Sequence, residues 1–145
     1  MPLLSLVLNI LWIVFGGLYM AAGWALAGLL MALTIVGLPW CFAAFRIARY
    51  TLLPFGQTVV SRDEADGAGG PLALLGNLIW LVLAGWWLAF AHLVTAAALA
   101  ISIVGIPFAW AHLKLAGLAL WPLGRVVVTS EEAARRRGYD GRPGA

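Results

Sequence analysis

The sequence predicts an all-α transmembrane protein. Four membrane helices form two parallel-repeat hairpins, each followed by an interfacial helix and a short cytoplasmic β-strand. Three observations carry this expectation. Of the 145 residues 63% are hydrophobic and 10% charged, whereas a water-soluble domain carries about 25% charged residues to cover its surface. No charged residue occurs from Met1 to Phe45 or from Gly67 to Leu113. The phrase Ile35-Val-Gly-Leu-Pro39 returns as Ile103-Val-Gly-Ile-Pro107, and the register between the copies holds without a gap from Asn9–Val60 to Asn77–Val128.

At a constant offset of 68 residues, 17 of 52 aligned pairs are identical. They include Asn9/Asn77, Trp12/Trp80, Gly17/Gly85, Pro54/Pro122 and Gly56/Gly124. Two hydrophobic runs agree by chance on Leu and Val, but not in register on Asn, Trp, Gly and Pro. The chain therefore divides into a first repeat (1–60, two membrane helices), a linker (61–71), a second repeat (72–129, two membrane helices) and a short helix with a disordered tail (130–145).

The apolar stretch from Leu3 to Leu53 would extend roughly 75 Å as one helix at 1.5 Å per residue. A crossing needs about 20 residues, so two fit in each repeat. The expected helices are Leu3–Ala22, Trp24–Phe45, Leu72–Ala91 and Leu93–Leu113, with a tight turn at Gly23. A third crossing per repeat, over Trp40–Leu53 and Phe108–Trp121, would bury Arg46, Arg49 and Lys114 at about 2.5–3.5 kcal/mol each. These segments are therefore placed along the interface, where long basic side chains reach phosphates. With two crossings per repeat, both basic zones share one side, which the positive-inside rule makes cytoplasmic. Both termini are then cytoplasmic and the repeats are related by a two-fold axis along the membrane normal.

Gln57–Val60 and Arg125–Thr129 follow matching Pro-x-Gly turns and read as short strands that pair with each other or across a subunit interface. Ser130 is placed to cap a helix over Glu131–Arg137, with i,i+4 charge pairs at Glu131–Arg135 and Glu132–Arg136 and a stop at Gly138. The start, Met1-Pro-Leu-Leu, lacks a basic leader region and reads as a retained helix.

Candidate functional residues are few. Asn9 and Asn77 are the most polar groups of helices 1 and 3. With Trp12/Trp80 and Tyr19/Trp87 they form a stripe suited to lining a path or bonding between helices. Thr34 and Ser102 precede Gly37-x-Pro39 and Gly105-x-Pro107. Read as mid-helix kinks, these prolines free the carbonyls of Ile35 and Ile103. Arg46, Arg49, Lys114 and Arg125 are candidates for lipid headgroups or anions. His92 and His112 belong to no ligand cluster in the sequence, and Cys41 stands alone, so no metal and no cofactor is expected. The basic residues read as topology signals, which argues against nucleic acid. No nucleophile adjoins a plausible base in the apolar segments, so no enzyme activity is expected.

The phrases Asn77-Leu-Ile-Trp80, Gly85-Trp-Trp87, Ile103-Val-Gly-Ile-Pro107 and Trp121-Pro-Leu-Gly-Arg125 resemble the YccF-domain family of small bacterial inner-membrane proteins. The resemblance covers nearly the whole chain. The first repeat departs from it, with Leu18-Tyr19 in place of Trp-Trp and Gln57 in place of Arg. Membership implies a multi-pass protein of the bacterial inner membrane. Two roles fit: a structural or accessory membrane protein that interacts with lipid or a partner protein, or a small oligomeric channel or carrier for ions or small solutes. A homo-oligomer is expected, since permeation through four helices would require at least a dimer, whereas a compact monomer would favour the accessory role.

Overall fold

The computed structural model describes residues 3–35, 37–61 and 71–140. Arg62, the linker as far as residue 70, and the tail beyond residue 140 lie outside the described residues. Helix α1 (Leu3–Trp12) passes through a π-helical turn (Ile13–Gly17) into α2 (Leu18–Ala32). The second repeat does the same with α4 (Pro71–Trp80), a π turn (Leu81–Gly85) and α5 (Trp86–Ala100). The expected break at Gly23 does not occur. The first long rod covers 30 residues from Leu3 to Ala32, about 45 Å at helical rise.

The chain reverses at Leu33–Gly37 and again at Ile101–Gly105, and these are the duplicated phrases. Thr34 Oγ1 accepts from the Gly37 amide at 3.0 Å and donates to the Met31 carbonyl at 3.0 Å. Ser102 accepts from the Gly105 amide at 3.0 Å. Pro39 and Pro107 fall in the first turn of α3 (Leu38–Leu52) and α6 (Ile106–Leu120), where a missing amide proton costs no bond. They start helices and do not kink them. The carbonyls of Ile35 and Ile103, expected to be freed, accept from Leu38 at 3.4 Å and Ile106 at 3.3 Å. Gly37 and Gly105 are required here, because a Cβ would run into the carbonyls of Met31 and Leu99.

Helix α3 packs back along α2, and α6 along α5. Each repeat is thus one hairpin of a long and a short arm. The segment Trp40–Leu53 is most of the second arm itself, so no separate interfacial helix follows a second membrane helix. Two ties close each hairpin at its open end. The Trp12 indole donates to the Thr51 carbonyl at 2.6 Å, and Trp80 donates to Ala119 at 2.8 Å. Asn9 donates to the Phe55 carbonyl and accepts from the Phe55 amide, both at 3.0 Å. Asn77 does the same with Leu123, at 3.4 and 3.0 Å.

Turns at Gly56 (φ +94°) and Gly124 (φ +82°) lead into β1 (Gln57–Ser61) and β2 (Arg125–Thr129). The strands pair antiparallel, Gln57 with Thr129, Val59 with Val127 and Ser61 with Arg125. This register maps onto itself under the 68-residue offset, which places a pseudo-two-fold axis at Val59/Val127. The equivalent residues Trp24 and His92 also touch, at 3.1 Å, and equivalent positions meet only on such an axis. Helix α7 (Ser130–Asp140) follows. Its cap is Thr129, whose Oγ1 accepts from Glu132 at 3.1 Å, and Glu132 pairs with Arg136 at 2.8 Å.

The hairpins run antiparallel to each other, and this corrects the parallel arrangement expected from the charge zones. Trp40, beside the tip of the first hairpin, donates to the Gly76 carbonyl at the open end of the second, at 3.0 Å. Phe108, beside the second tip, lies 5.8 Å from Phe55 at the first open end. Between them, Gly16 meets Thr95 and Gly23 meets Leu88. Each tip therefore lies against the other hairpin's base, and the axis crosses the rods near their midpoints. Two full crossings per repeat would run both rods in the same direction, and the parallel expectation followed from that assumption.

Asn77→Leu removes both ties at Leu123 and leaves a buried amide and a carbonyl unpaired. Each orphaned group costs about 1–3 kcal/mol. The expected outcome is a loss of roughly 2–4 kcal/mol in thermal unfolding in detergent, with a similar loss for Asn9→Leu.

Candidate functional site

The polar candidates of the sequence separate once their partners are known. Asn9 and Asn77 are 2% and 1% exposed, and both amide ends are engaged with the backbone that closes the hairpins. Thr34 and Ser102 hold the two reversals. The structure does not bring these four side chains together.

The buried polar contact at the centre is made by other residues. The Trp24 indole N–H donates to Nε2 of His92 at 3.1 Å. An indole can only donate, so that nitrogen carries no proton and neutral His92 is protonated on Nδ1. His92 Nδ1 lies 2.9 Å from Nδ1 of His112, which must then accept. His112 therefore carries its proton on Nε2. This nitrogen faces the opened turn at Phe15–Gly16 and lacks a hydrogen bond of good geometry. Gly16 takes φ +116° there, a conformation that a side chain disfavours. The Trp12 ring covers His112 at 4.4 Å. The chain of donors has one direction, Trp24 to His92 to His112, and both imidazoles are fully buried.

Two of the four cationic candidates, Lys114 and Arg125, line the axis under the ribbon. A cleft of about 400 Å³ opens between α3 and α6, lined by Tyr50, Thr58, Val59, Lys114, Gly117 and Arg125 among others. Tyr50 and Leu118, equivalent positions, both line it, as an axial location requires. Gly117 keeps it open, since a Cβ there would meet nothing within 4 Å. Arg125 donates to Ser61 Oγ at 2.9 Å, and Arg46 donates to the Arg125 carbonyl at 3.3 Å. Lys114 sits over the Trp110 ring at 5.8 Å. Arg49 is exposed on α3, at the position equivalent to Gly117. Two cations, a phenol and a threonine hydroxyl around an open cleft supply donors for a phosphate or another oxyanion.

Sequence reasoning missed the histidine pair and the parts of Tyr50, Thr58 and Gly117. A signal was present: both histidines stand in strongly apolar helices, where the first copy has Trp24 and Ala44. Their contact depends on the antiparallel packing, which the repeat alone does not encode.

The tautomers are measurable. Imidazole ¹⁵N spectra should show His92 protonated at Nδ1 and His112 at Nε2. Trp24→Phe should erase the preference at His92 and cost about 1 kcal/mol of stability, the net value of one such bond.

The family model described as the YccF inner membrane component domain matches residues 7–57 and again 75–125, the same 68-residue offset as the internal repeat. The chain is 40% identical over 141 residues to the inner membrane protein YccF of Escherichia coli (strain K12). That alignment covers 94% of this chain and 95% of the relative. The protein of the same name from Shigella flexneri matches equally. No solved structure matches. A duplicated domain, matched twice at the spacing that the hairpins repeat, and a relative aligned over nearly its whole length place the chain in the YccF family of inner membrane proteins.

Proposed function

We propose that this inner-membrane protein is a structural or accessory component that holds anionic lipid headgroups, or an acidic partner, at its cytoplasmic face, and that it does so without catalysis. The observation that carries the reading is the axial cleft, where Lys114 and Arg125 flank an open space with hydroxyls from Tyr50 and Thr58. The rest of the polar inventory supports it. The two asparagines and the two hydroxyls that could have lined a path are committed to backbone partners, so the channel or carrier reading loses its candidate residues. The basic zones near the cleft and in α7 favour the cytoplasm for the ribbon and both termini. A second copy of the chain remains a natural neighbour for so apolar a surface, and the role does not depend on one.

Each Lys or Arg near an anionic surface contributes about 1 kcal/mol, roughly a fivefold change in affinity. Detergent-solubilised protein titrated with phosphatidylglycerol should bind it more tightly than phosphatidylcholine. Lys114→Ala and Arg125→Ala should each weaken that binding about fivefold. Gly117→Leu fills the cleft with every cation retained and should weaken it as well. Equal affinity for the two lipids, or indifference to all three substitutions, would remove the cleft as the site. Ion flux in liposomes, if present and abolished in the Asn9→Leu, Asn77→Leu double variant, would restore the channel reading.

A further inference from the structure

We infer that the molecule reclines in one leaflet of the bilayer, with its pseudo-two-fold axis along the membrane normal, and that the hairpins do not cross to the far side. The partner of its broad apolar face is the acyl chains of the cytoplasmic leaflet.

The antiparallel hairpins leave two ways to place the rods. Upright rods would send the two hairpins in from opposite faces and bring the axis into the membrane plane. The ribbon would then sit at mid-height, because Val59 and Val127 mark the axis. Arg46, Lys114 and Arg125 would lie near the bilayer centre with it, at about 2.5–3.5 kcal/mol each. The outer edges of a two-stranded ribbon would face lipid, where unpaired backbone groups find no water. Helix α7, with Glu131, Glu132, Arg135 and Arg136, packs against the same ribbon.

Turning the axis to the normal removes each of these conflicts. Along the axis the order becomes ribbon and α7, then the cationic cleft between α3 and α6, then the rods α1–α2 and α4–α5. Arg46, Lys114, Arg125 and the Glu132–Arg136 pair of α7 then lie on the ribbon's half of the molecule. The opposite face is apolar. A groove of about 270 Å³ opens there between Tyr19, Gly23 and Leu26 on one rod and Trp87 and Leu88 on the other, of a size to seat part of an acyl chain. The tips agree with this placement. Ile35 and Ile103 are 88% and 87% exposed, and neither reversal contains a charged residue or a side-chain amide. A loop that emerged into water would have no reason to present these residues. The hydroxyls of Thr34 and Ser102 satisfy the turn amides from within, as hydrocarbon requires. Length is consistent as well: a 30-residue apolar rod exceeds the roughly 20 residues of a crossing, and a reclining rod has no such limit.

Cysteine accessibility distinguishes the placements. On a Cys41→Ala background, single Ile35→Cys, Ile103→Cys and Arg49→Cys variants are treated with a membrane-impermeant maleimide in sealed vesicles of either orientation. The expected result is labelling of Arg49→Cys from the cytoplasmic side alone, and of the two tip positions from neither side. Labelling of Ile35→Cys and Ile103→Cys from opposite faces would establish upright inverted hairpins. Labelling of both from the face opposite Arg49→Cys would establish upright parallel ones. Either outcome overturns the inference, as does labelling of the tips from the cytoplasm. Oriented circular dichroism of the unsubstituted protein in aligned bilayers needs no variant. In-plane helices are expected, and an upright signature would overturn the placement independently. Neither measurement depends on lipid headgroup preference, so failure here leaves the cleft to be judged on its own titration.

Discussion

A polar group removed from water must find its partner inside the protein, and nearly every distinctive residue of this chain answers that constraint. Hydrocarbon offers no substitute hydrogen bonds, so a chain reversal or a broken helix is tolerated only where side chains or neighbouring backbone complete it. Asn9 and Asn77 close the hairpins by taking both an amide and a carbonyl of the opposing segment. Trp12 and Trp80 donate to carbonyls in the last turns of α3 and α6. Thr34 and Ser102 serve the reversals. Residues that read as chemical candidates because they are polar are in large part the means by which an apolar chain can fold back at all.

The duplication supplies these ties in pairs, and some of the departures from it meet at the axis. Equivalent side chains compete for the same space at a two-fold axis, so a pair of tryptophans at positions 24 and 92 would leave two donors with no acceptor. Replacing one by His92 gives Trp24 an acceptor. The second nitrogen of His92 then needs a partner in turn, which His112 provides. His112 stands where the first copy has Ala44, and it faces Gly16 where the second copy has Ala84. One substitution at the axis thus accounts for a set of differences that look unrelated in the aligned repeats. The same holds for Trp40 and Phe108: only the tryptophan finds a carbonyl, at Gly76, in the other hairpin.

Much of this fold was legible in the sequence because its signals are local or periodic. The repeat, the two strands, the Pro-x-Gly turns and the helix after β2 follow from residues that act where they stand. The reversal was misplaced for a reason that is also local. A glycine inside an apolar helix and a glycine at its end carry the same letter, and the expectation of 20-residue crossings favoured Gly23 over Gly37. The cue that decides it is the pairing of Thr34 or Ser102 with the glycine three residues on, followed by a proline placed where no amide proton is needed. The relation between hairpins was not legible at all. It rests on contacts such as Phe108 with Phe55, whose partners are far apart in the chain and unremarkable in composition. The cleft follows the same rule: its cations could be read from the sequence, but Gly117 as its open wall could not.

The direction of the hairpins also changes the meaning of the charge pattern. In an upright bundle, two basic zones at the ends of two repeats are topology signals and nothing more. In an antiparallel pair the same zones meet at the middle of the molecule, because Arg46, Lys114 and Arg125 sit near the axis that both hairpins share. Cations of like sign repel, and in hydrocarbon they would be strongly disfavoured together. Beside an aqueous interface rich in phosphate they are stabilised by the counter-charge that the surface supplies. None of the described residues that line the cleft is acidic, so a counter-charge there has to come from outside the cleft. The most abundant source of such charge at a membrane surface is the lipid headgroup, the ligand proposed for the cleft.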